Sequence, residues 1–287
     1  RQGKIMKYNS EWKDYQVIAT SNGEKLEKWG EYKLLRPDPQ VIWNTDANLI
    51  VKDLNAHYHR SNKGGGCWEY LLPMKDEWTV SWKNLTFLIK PMGFKHTGLF
   101  PEQAVNWNMM IDLIKKANRE IKVLNLFAYT GGATVACTSA GAMVTHVDAS
   151  KNMVDRAKQN MKLSNLIDKP TRYIVDDCKK FVEREIRRGN RYDAIIMDPP
   201  SYGRGPSGEM WKIEDNLFDF VKLVSKLLSN KPLFVLINSY TTGLQPLVLR
   251  NILQLVFGKD NIDAYEVGIM CNDGLILPCG ASGVKTW

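Results

Sequence analysis

Residues 123–148 read VLNLFAYTGGATVACTSAGAMVTHVD, and this segment decides the fold of the chain. Its first five residues, 123–127, are rich in apolar side chains, as in a buried parallel strand. A turn of small residues follows, then a predicted helix over 134–140 and a second strand over 143–147. Asp148 comes at the carboxyl end of that second strand, where a carboxylate can bind ribose hydroxyls. The segment therefore predicts a βαβ unit that binds an adenosine-type cofactor.

The turn of this unit differs from the dinucleotide-binding fingerprint Gly-x-Gly-x-x-Gly, because it reads FAYTGGAT over residues 127–134. A pyrophosphate needs several backbone N–H groups and a helix N-terminus, and the departure from the fingerprint counts against one. Ala128, Gly131 and Gly132 leave little or no side chain in the way of a ligand. A plain βαβ unit with an incidental Gly-Gly turn is the alternative that this segment leaves open.

The composition indicates a globular protein with a basic surface. The 287 residues are 44% hydrophobic and carry a net charge of +8, which is compatible with a polyanionic partner such as RNA. No apolar run approaches the roughly 20 residues of a membrane span, and no signal peptide is visible. The five cysteines are scattered and odd in number, which is typical of a reducing compartment. We therefore expect a cytoplasmic protein without a membrane partner; the oligomeric state is not predicted.

Residues 1–90 differ from the rest of the chain and are expected to form a small β-rich domain, whereas residues 91–287 are expected to form the cofactor-binding domain. The first range holds six of the nine tryptophans, with short alternating runs between turn signals. These aromatics could stack nucleotides, but we favour a packing role for most of them. His57 and His59 would share one strand face, with Cys67 nearby. Because no fourth ligand lies at a familiar spacing, we predict no metal site.

Strand and helix patterns alternate after Asp148 and end in a hairpin around residues 272–274, and a further helix is expected over 104–117. This order predicts an α/β, Rossmann-like sheet that is mostly parallel, with an antiparallel C-terminal hairpin. Acidic residues follow three successive strands, and ligands of such sheets bind at the carboxyl ends of the strands. Asp148 is suited to accept from the ribose hydroxyls. Asp177 can accept from the adenine amino group, and the Cys178 backbone N–H can donate to a ring nitrogen of the adenine. Asp198 lies where the cofactor and the substrate would meet.

The second signature is Asp198-Pro199-Pro200-Ser201-Tyr202, which a Gly/Pro-rich loop over 203–209 follows. Two prolines fix φ and lack N–H donors, so their carbonyl groups can point into a cavity. A planar base could hydrogen-bond there while it stacks on Tyr202. We predict Asp198, Pro199, Pro200 and Tyr202 as the catalytic residues, with a rigid turn after a strand as the structural alternative.

Five motifs occur in one order, over residues 97–103, 125–132, 148–150, 176–177 and 198–202. Together they resemble the class I S-adenosylmethionine-dependent methyltransferases, and in particular the family that includes ribosomal RNA large subunit methyltransferase I. The resemblance implies S-adenosylmethionine as cofactor, partly enclosed by Phe100 and Gln103. The predicted cofactor-binding residues are Phe100, Gln103, Asn125, Phe127, Ala128, Thr130, Gly131, Asp148, Ala149, Asp177, Cys178 and Asp198.

Two departures from that family matter. Its cytosine carbon-5 enzymes carry a cysteine after the fifth strand, because that chemistry needs a covalent nucleophile. Here residues 237–241 read INSYT, which argues against cytosine carbon-5 methylation. The N-terminal part does not resemble the family's RNA-binding PUA domain.

The favoured function is direct methyl transfer to a base nitrogen or a ribose oxygen in RNA, with ribosomal RNA preferred. The alternatives are a methyltransferase for a small molecule or protein, and a non-catalytic assembly factor that binds cofactor and RNA. An NAD-linked oxidoreductase is a more distant alternative.

Overall fold

The computed structural model describes residues 5–93, 96–205 and 208–287. By their contacts the residues form two compact units. The first unit holds the chain up to Lys7, Gln103–Val267 and Cys279–Trp287. The second unit holds Tyr8–Glu102 and Gly268–Pro278. These bounds differ from the predicted ranges 1–90 and 91–287, since the tip of the C-terminal hairpin groups with the N-terminal residues.

Strands and helices follow one another along the described ranges. The strands are β1 (Met6–Tyr8), β2 (Tyr15–Ser21), β3 (Glu24–Trp29), β4 (Tyr32–Pro37), β5 (Ala56–Arg60), β6 (Gly66–Tyr70), β7 (Trp78–Trp82), β8 (Leu85–Ile89), β9 (Lys122–Leu126), β10 (Met143–Asp148), β11 (Thr171–Val175), β12 (Ala194–Met197), β13 (Tyr202–Arg204), β14 (Met210–Lys212), β15 (Phe234–Ser239), β16 (Ile262–Met270) and β17 (Ile276–Thr286). The helices are α1 (Ala104–Ala117), α2 (Gly132–Ser139), α3 (Lys151–Leu163), α4 (Cys178–Arg188), α5 (Ile213–Ser225) and α6 (Pro246–Phe257), with a 3₁₀ turn at Pro101–Gln103.

The large sheet has the strand order β1-β16-β17-β15-β12-β9-β10-β11 within the described ranges. Strands β15, β12, β9, β10 and β11 run parallel, and β17 pairs antiparallel with β15. The parallel strands are apolar on both faces because helices cover both. Leu124, Ile195 and Val235 align on one face, Val123, Ala194 and Phe234 align on the other, and all six are fully buried. This is the predicted Rossmann-like sheet with its antiparallel hairpin, so the predicted fold class is confirmed.

Local sequence explains where the helices of this unit begin and end. Ser150 precedes α3 and its hydroxyl accepts from the Met153 N–H at 3.4 Å. Asp177 precedes α4 and accepts from the Lys180 N–H at 2.9 Å. Both side chains satisfy donors that a helix N-terminus leaves unpaired. Gly189 ends α4 in the left-handed conformation, which glycine adopts without a steric cost.

The second unit contains a five-stranded sheet in the order β2-β3-β4-β5-β6 and the separate hairpin β7–β8. Of the six tryptophans, Trp29, Trp78 and Trp82 are buried, and the other three are half-buried. Trp29 packs on Tyr15 with ring centroids 4.5 Å apart, and the Trp78 indole N–H donates to the Trp29 carbonyl at 2.9 Å. The packing role favoured for these residues therefore describes them better than an exposed stacking platform does.

Two further features bear on the sequence predictions. The predicted loop 203–209 is bounded by a short antiparallel pair, in which Tyr202 aligns with Lys212 and Arg204 with Met210. Residues 206 and 207 of that loop lie outside the described residues. No helix in the described part of the chain is both long and apolar enough to cross a membrane.

Candidate active site

The carboxyl ends of the five parallel strands meet at one edge of the large sheet. The register pairs Val147 and Met197 with Leu126 on either side of β9, and Met197 with Ile237. The residues that follow these positions are therefore neighbours at this edge. They are Phe127, Asp148, Asp198 and Asn238. Asp176 joins them because it follows Val175, which pairs with Asp148, and all five residues lie in the first unit.

The turn after β9 has an unusual backbone. Phe127, Tyr129 and Gly131 have φ values of 56°, 52° and 83°, so two of the three left-handed positions are not glycine. Such residues cost on the order of 1–3 kcal/mol each and persist only where the surroundings impose them. Strain concentrated in one turn at the carboxyl edge is typical of a binding site.

Packing explains the two glycines of this turn. A Cβ on Gly131 would lie 2.8 Å from the Cβ of Ala157 on α3, and a Cβ on Gly132 would lie 2.8 Å from the Trp107 ring on α1. The Asn160 amide, also on α3, donates to the Thr130 carbonyl at 2.8 Å. The two glycines thus allow α2 and the turn to pack closely against α1 and α3. This packing role adds to the predicted role of leaving space for a ligand.

Asp148 connects the turn to the next strand. One carboxylate oxygen accepts from the Tyr129 N–H and the other from the Ser150 N–H, each at 2.9 Å. Burial raises the pKa of Asp148, and the two backbone hydrogen bonds oppose the rise. Each oxygen keeps further acceptor capacity, so a pair of ribose hydroxyls could donate to this desolvated carboxylate. The arrangement fits the predicted ribose contact.

The two acidic residues after β11, Asp176 and Asp177, have different partners. Asp176 pairs with Arg184 at 2.9 Å, and Asp177 caps α4 through one oxygen. The Cys178 thiol is buried and accepts from the Phe127 N–H at 3.3 Å. Asp177 and the Cys178 backbone therefore stand at the N-terminus of α4, a position that favours acceptor-rich ligands.

The segment 198–202 forms a corner supported by a residue that the sequence prediction missed. Asp198 is half-buried and Pro199 is buried. The Pro200 carbonyl accepts from the Trp211 indole N–H at 2.7 Å, so it does not point freely into a cavity as predicted. Tyr202 is 50% exposed, and its hydroxyl accepts from the Arg204 Nε at 3.0 Å.

Trp211 also connects this corner to the turn after β9. Its ring lies 5.6 Å from Phe127, and both rings lie 5.6 Å from Phe220. Such aromatic contacts contribute about 0.5–1.5 kcal/mol each beyond burial. Nothing in the sequence showed what Trp211 would contact.

A buried amide network lies beside Asp198 at the end of β15. The Asn106 amide donates to Gln103 at 2.9 Å and to Asn238 at 3.1 Å. Tyr265 donates to the Asn106 oxygen at 2.5 Å, and the Gln103 amide donates to the Tyr240 hydroxyl at 2.6 Å. These bonds orient each amide, so Gln103 is held by the protein itself. The network was missed because its members come from three distant segments.

Two other predicted residues have different surroundings. Asn125 is 2% exposed and donates to the Thr134 hydroxyl at 3.0 Å, beneath the turn. Phe100 belongs to the second unit, where its ring lies 6.1 Å from that of His96. Their contacts with a cofactor stay predictions.

Together the strained turn, the half-buried Asp148 and the capped α4 define a Rossmann-like protein with a site for an adenosine-containing cofactor. A family model for S-adenosylmethionine-dependent methyltransferases matches residues 56–248, and the chain belongs to this family. The predicted enzyme class and its cofactor, S-adenosylmethionine, are thereby confirmed. Family membership also favours a methyltransferase over the NAD-linked alternative.

Three relatives illustrate the similarity. The crystal structure of a SAM-dependent methyltransferase from Agrobacterium tumefaciens is 32% identical, with a TM-score of 0.91, over 99% of this chain and 93% of that chain. Ribosomal RNA large subunit methyltransferase K/L of Syntrophotalea carbinolica is 30% identical over 183 residues, 63% of this chain and 25% of that protein. A putative ribosomal RNA large subunit methyltransferase of Methanocaldococcus jannaschii is 34% identical over 108 residues, 38% of this chain and 27% of that protein. The chain thus spans about a quarter of the length of these two curated relatives.

Proposed function

We propose that this protein transfers a methyl group from S-adenosylmethionine to a base nitrogen or a ribose oxygen of RNA, with ribosomal RNA as the preferred substrate. The observation that carries the proposal is the corner at 198–202, which begins with a half-buried Asp198 at the carboxyl edge of the sheet and ends with the half-exposed Tyr202. A carboxylate next to an exposed aromatic ring suits a flipped planar base. The net charge of +8 supports a polyanionic substrate.

The cofactor, when bound, supplies a methyl group that its sulfonium charge already activates. We propose that Asp148 accepts from the ribose hydroxyls, and that Asp177 and the Cys178 N–H meet the adenine ring. The backbone of the turn after β9, together with Ala149 next to Asp148, would surround the rest of the cofactor. The proposed contacts of this unit are Gln103, Asn125, Phe127, Ala128, Thr130, Gly131, Asp148, Ala149, Asp177, Cys178 and Asp198.

The catalytic contribution we propose is alignment rather than covalent chemistry. Asp198 would accept a hydrogen bond from the acceptor's N–H or O–H group and take the proton that this group loses on methylation, while Tyr202 stacks on the base and Pro199 and Pro200 keep the corner rigid. Correct orientation of two reactants and exclusion of water can lower a barrier by several kcal/mol, up to about 7–11 kcal/mol in favourable cases. The proposed transfer needs no metal ion, because the sulfonium charge supplies the activation.

The three buried cysteines argue against a covalent route to carbon-5 of a pyrimidine. Burial raises the pKa of Cys137 to about 12 and that of Cys271 to about 11, and it raises the pKa of Cys178 further still. A thiol that stays protonated is a poor nucleophile. Residues 237–241 at the end of β15 contain no cysteine, so direct attack by a nitrogen or oxygen lone pair is the mechanism we favour.

The choice of ribosomal RNA rests on the names of the relatives, which are ribosomal RNA large subunit methyltransferases. We also propose that the chain resembles ribosomal RNA large subunit methyltransferase I in particular, but lacks the PUA domain of that family. A cytoplasmic location is likewise proposed. The K/L methyltransferases are much longer than this chain, so ribosomal RNA as its substrate is an inference from those relatives.

The test is transfer of a labelled methyl group from S-adenosylmethionine to total RNA and to ribosomal subunits. Asp198→Asn should reduce transfer at least 100-fold, and any loss of cofactor affinity should be much smaller than that, because alignment is needed for reaction more than for binding. Asp219→Asn, an exposed aspartate on α5, is the matched control and should behave as the wild type. Nuclease digestion of labelled RNA then identifies the nucleotide and atom.

Two other results would replace the proposal. Label in a protein or small-molecule fraction, with none in RNA, would mean a different acceptor. Binding of cofactor and RNA without any release of S-adenosylhomocysteine would indicate an assembly factor instead of an enzyme.

A further inference from the structure

One face of the β5–β6 hairpin in the second unit carries four side chains that are common metal ligands. Side chains alternate along a strand, so His57 and His59 share a face, as do Cys67 and Glu69. The antiparallel register aligns His57 with Glu69 and His59 with Cys67. Because directly opposed residues point to the same face, the four side chains form a two-by-two array. Spacing along the sequence did not reveal this array, since its second row arrives through the hairpin register.

The distances among three of these four side chains suit a single ion, and the strand register places Cys67 on the same face. One ligand atom each from His57, His59 and Glu69 lies within 4.8 Å of the other two. The His59 Nε2 and a Glu69 carboxylate oxygen are 3.2 Å apart. Metal–ligand bonds of about 2.0–2.2 Å in tetrahedral geometry separate ligand atoms by roughly 3.3 Å. The His59–Glu69 pair already has that separation, and the third ligand atom needs a side-chain adjustment of about 1.5 Å or less.

Glu24 provides the orienting contact that histidine ligands usually have. Its carboxylate lies 2.6 Å from the Nε2 of His57, reaching across the sheet from β3. A histidine whose one ring nitrogen donates to a carboxylate presents the other nitrogen as a lone-pair donor, and the carboxylate fixes the orientation of the ring. His57 would therefore bind through Nδ1, while its ring orientation is held by Glu24.

The position of these residues in the fold suggests that a bound ion would stabilise the edge of the sheet. Strand β6 is the edge strand of its sheet, and Trp68 is its one half-buried residue while the other four are exposed. An edge strand with so little burial gains little stability from apolar packing. A metal ion bound across β5 and β6 would attach that edge strand to the sheet.

We propose that His57, His59 and Glu69 bind one divalent ion of the zinc class, with Cys67 as the fourth ligand and Glu24 orienting His57. Imidazole, thiolate and carboxylate donors in a four-coordinate set are typical of zinc. The site lies wholly within residues 8–102 and is separate from the residues assigned to methyl transfer. It goes beyond the proposed function and does not depend on it.

The experiment is a titration of the full chain, cleared of metal, with Zn²⁺ by calorimetry and with Co²⁺ by absorption spectroscopy. We expect one ion per chain. The double variant His57→Ala/His59→Ala should weaken binding on the order of 100-fold or more, since even residues that only support ligands change affinity 10–100-fold. Glu69→Gln should weaken it at least tenfold, whereas Glu31→Gln, an exposed glutamate of the same unit, should leave it unchanged.

Cobalt reports on Cys67 directly. A thiolate ligand gives an intense charge-transfer band with Co²⁺, which Cys67→Ser should remove while the imidazole ligands keep the ion bound. Co²⁺ binding without that band would refute Cys67 as a ligand. Circular dichroism checks that each variant is folded. The proposal is overturned if the folded wild type shows no saturable Zn²⁺ binding, or if binding is the same in the double histidine variant.

Discussion

Replacing Gly131 by alanine tests how the turn after β9 is built. The residue has a φ of 83°, and a Cβ there would lie 2.8 Å from the Cβ of Ala157. Carbon atoms in ordinary contact are about 3.5–4.0 Å apart, so α3 or the turn must move by roughly 0.7 Å or more. The substitution therefore adds a backbone penalty and a packing penalty at the same position.

The two penalties can be estimated separately. An alanine in the left-handed region costs about 1–2 kcal/mol, and overpacking a tight contact costs about 1–3 kcal/mol. We expect Gly131→Ala to lower the free energy of unfolding by about 2–5 kcal/mol. It should also weaken S-adenosylmethionine binding, because the Phe127–Gly131 turn shifts with it.

Gly141 provides the matched control, since it has a φ of 100° and a Cβ added there would meet no atom within 4 Å. Gly141→Ala should therefore cost only the backbone penalty of about 1–2 kcal/mol. The second test is a double-mutant cycle in which Ala157→Gly removes the facing methyl group. The double variant should recover about 1–3 kcal/mol relative to additivity.

The measurements are urea unfolding followed by circular dichroism, and cofactor titration by calorimetry. The reasoning is refuted if Gly131→Ala costs no more than Gly141→Ala. A coupling energy below about 0.5 kcal/mol in the cycle with Ala157→Gly would equally refute it, since independent sites are additive to that level.

Three further predictions concern the carboxyl edge of the large sheet. Cofactor affinity should fall as the pH is lowered through the raised pKa of Asp148, because the protonated acid loses acceptor capacity. In the variant Asp148→Asn, the affinity measured by calorimetry should be at least tenfold lower and should no longer depend on pH in this way. Trp211→Phe keeps the aromatic contacts but removes the hydrogen bond to Pro200, so the rate of methyl transfer should fall up to about tenfold with unchanged cofactor affinity. Cys178→Ala should retain methyl transfer within about threefold, since its backbone N–H remains; a complete loss in a folded variant would point to a role for the thiol.

The parallel sheet and its acidic edge were predictable from the sequence because they depend on local patterns. Apolar runs such as 194–197 and 234–237 identify buried strands, and each predicted strand end placed its polar residue correctly at the edge. Helix α1 was predicted with its observed bounds, because its apolar side chains recur at helical spacing. Asp148 could be placed next to the turn since a βαβ unit always returns to the same edge of the sheet.

The roles of individual side chains were less predictable. Pro199 and Pro200 were expected to direct carbonyl groups into a cavity, yet the Pro200 carbonyl is bound by Trp211, eleven residues later. Gln103 stays a predicted cofactor contact, but nothing in the sequence indicated that its amide donates to the hydroxyl of Tyr240, 137 residues away in the chain. Hydrogen-bond partners at such separations depend on where whole strands and helices pack, which a local pattern does not encode.

What the sequence by itself determined is the order of the strands and helices, the edge where a cofactor can bind, and the chemical types of the residues at that edge. The tertiary structure alone decided which of those residues support the site and which are available to a ligand. It also decided that Glu69 and Cys67 face His57 and His59. The physical reason is that periodicity is a property of neighbouring residues, whereas register and packing are set by the burial of the whole chain.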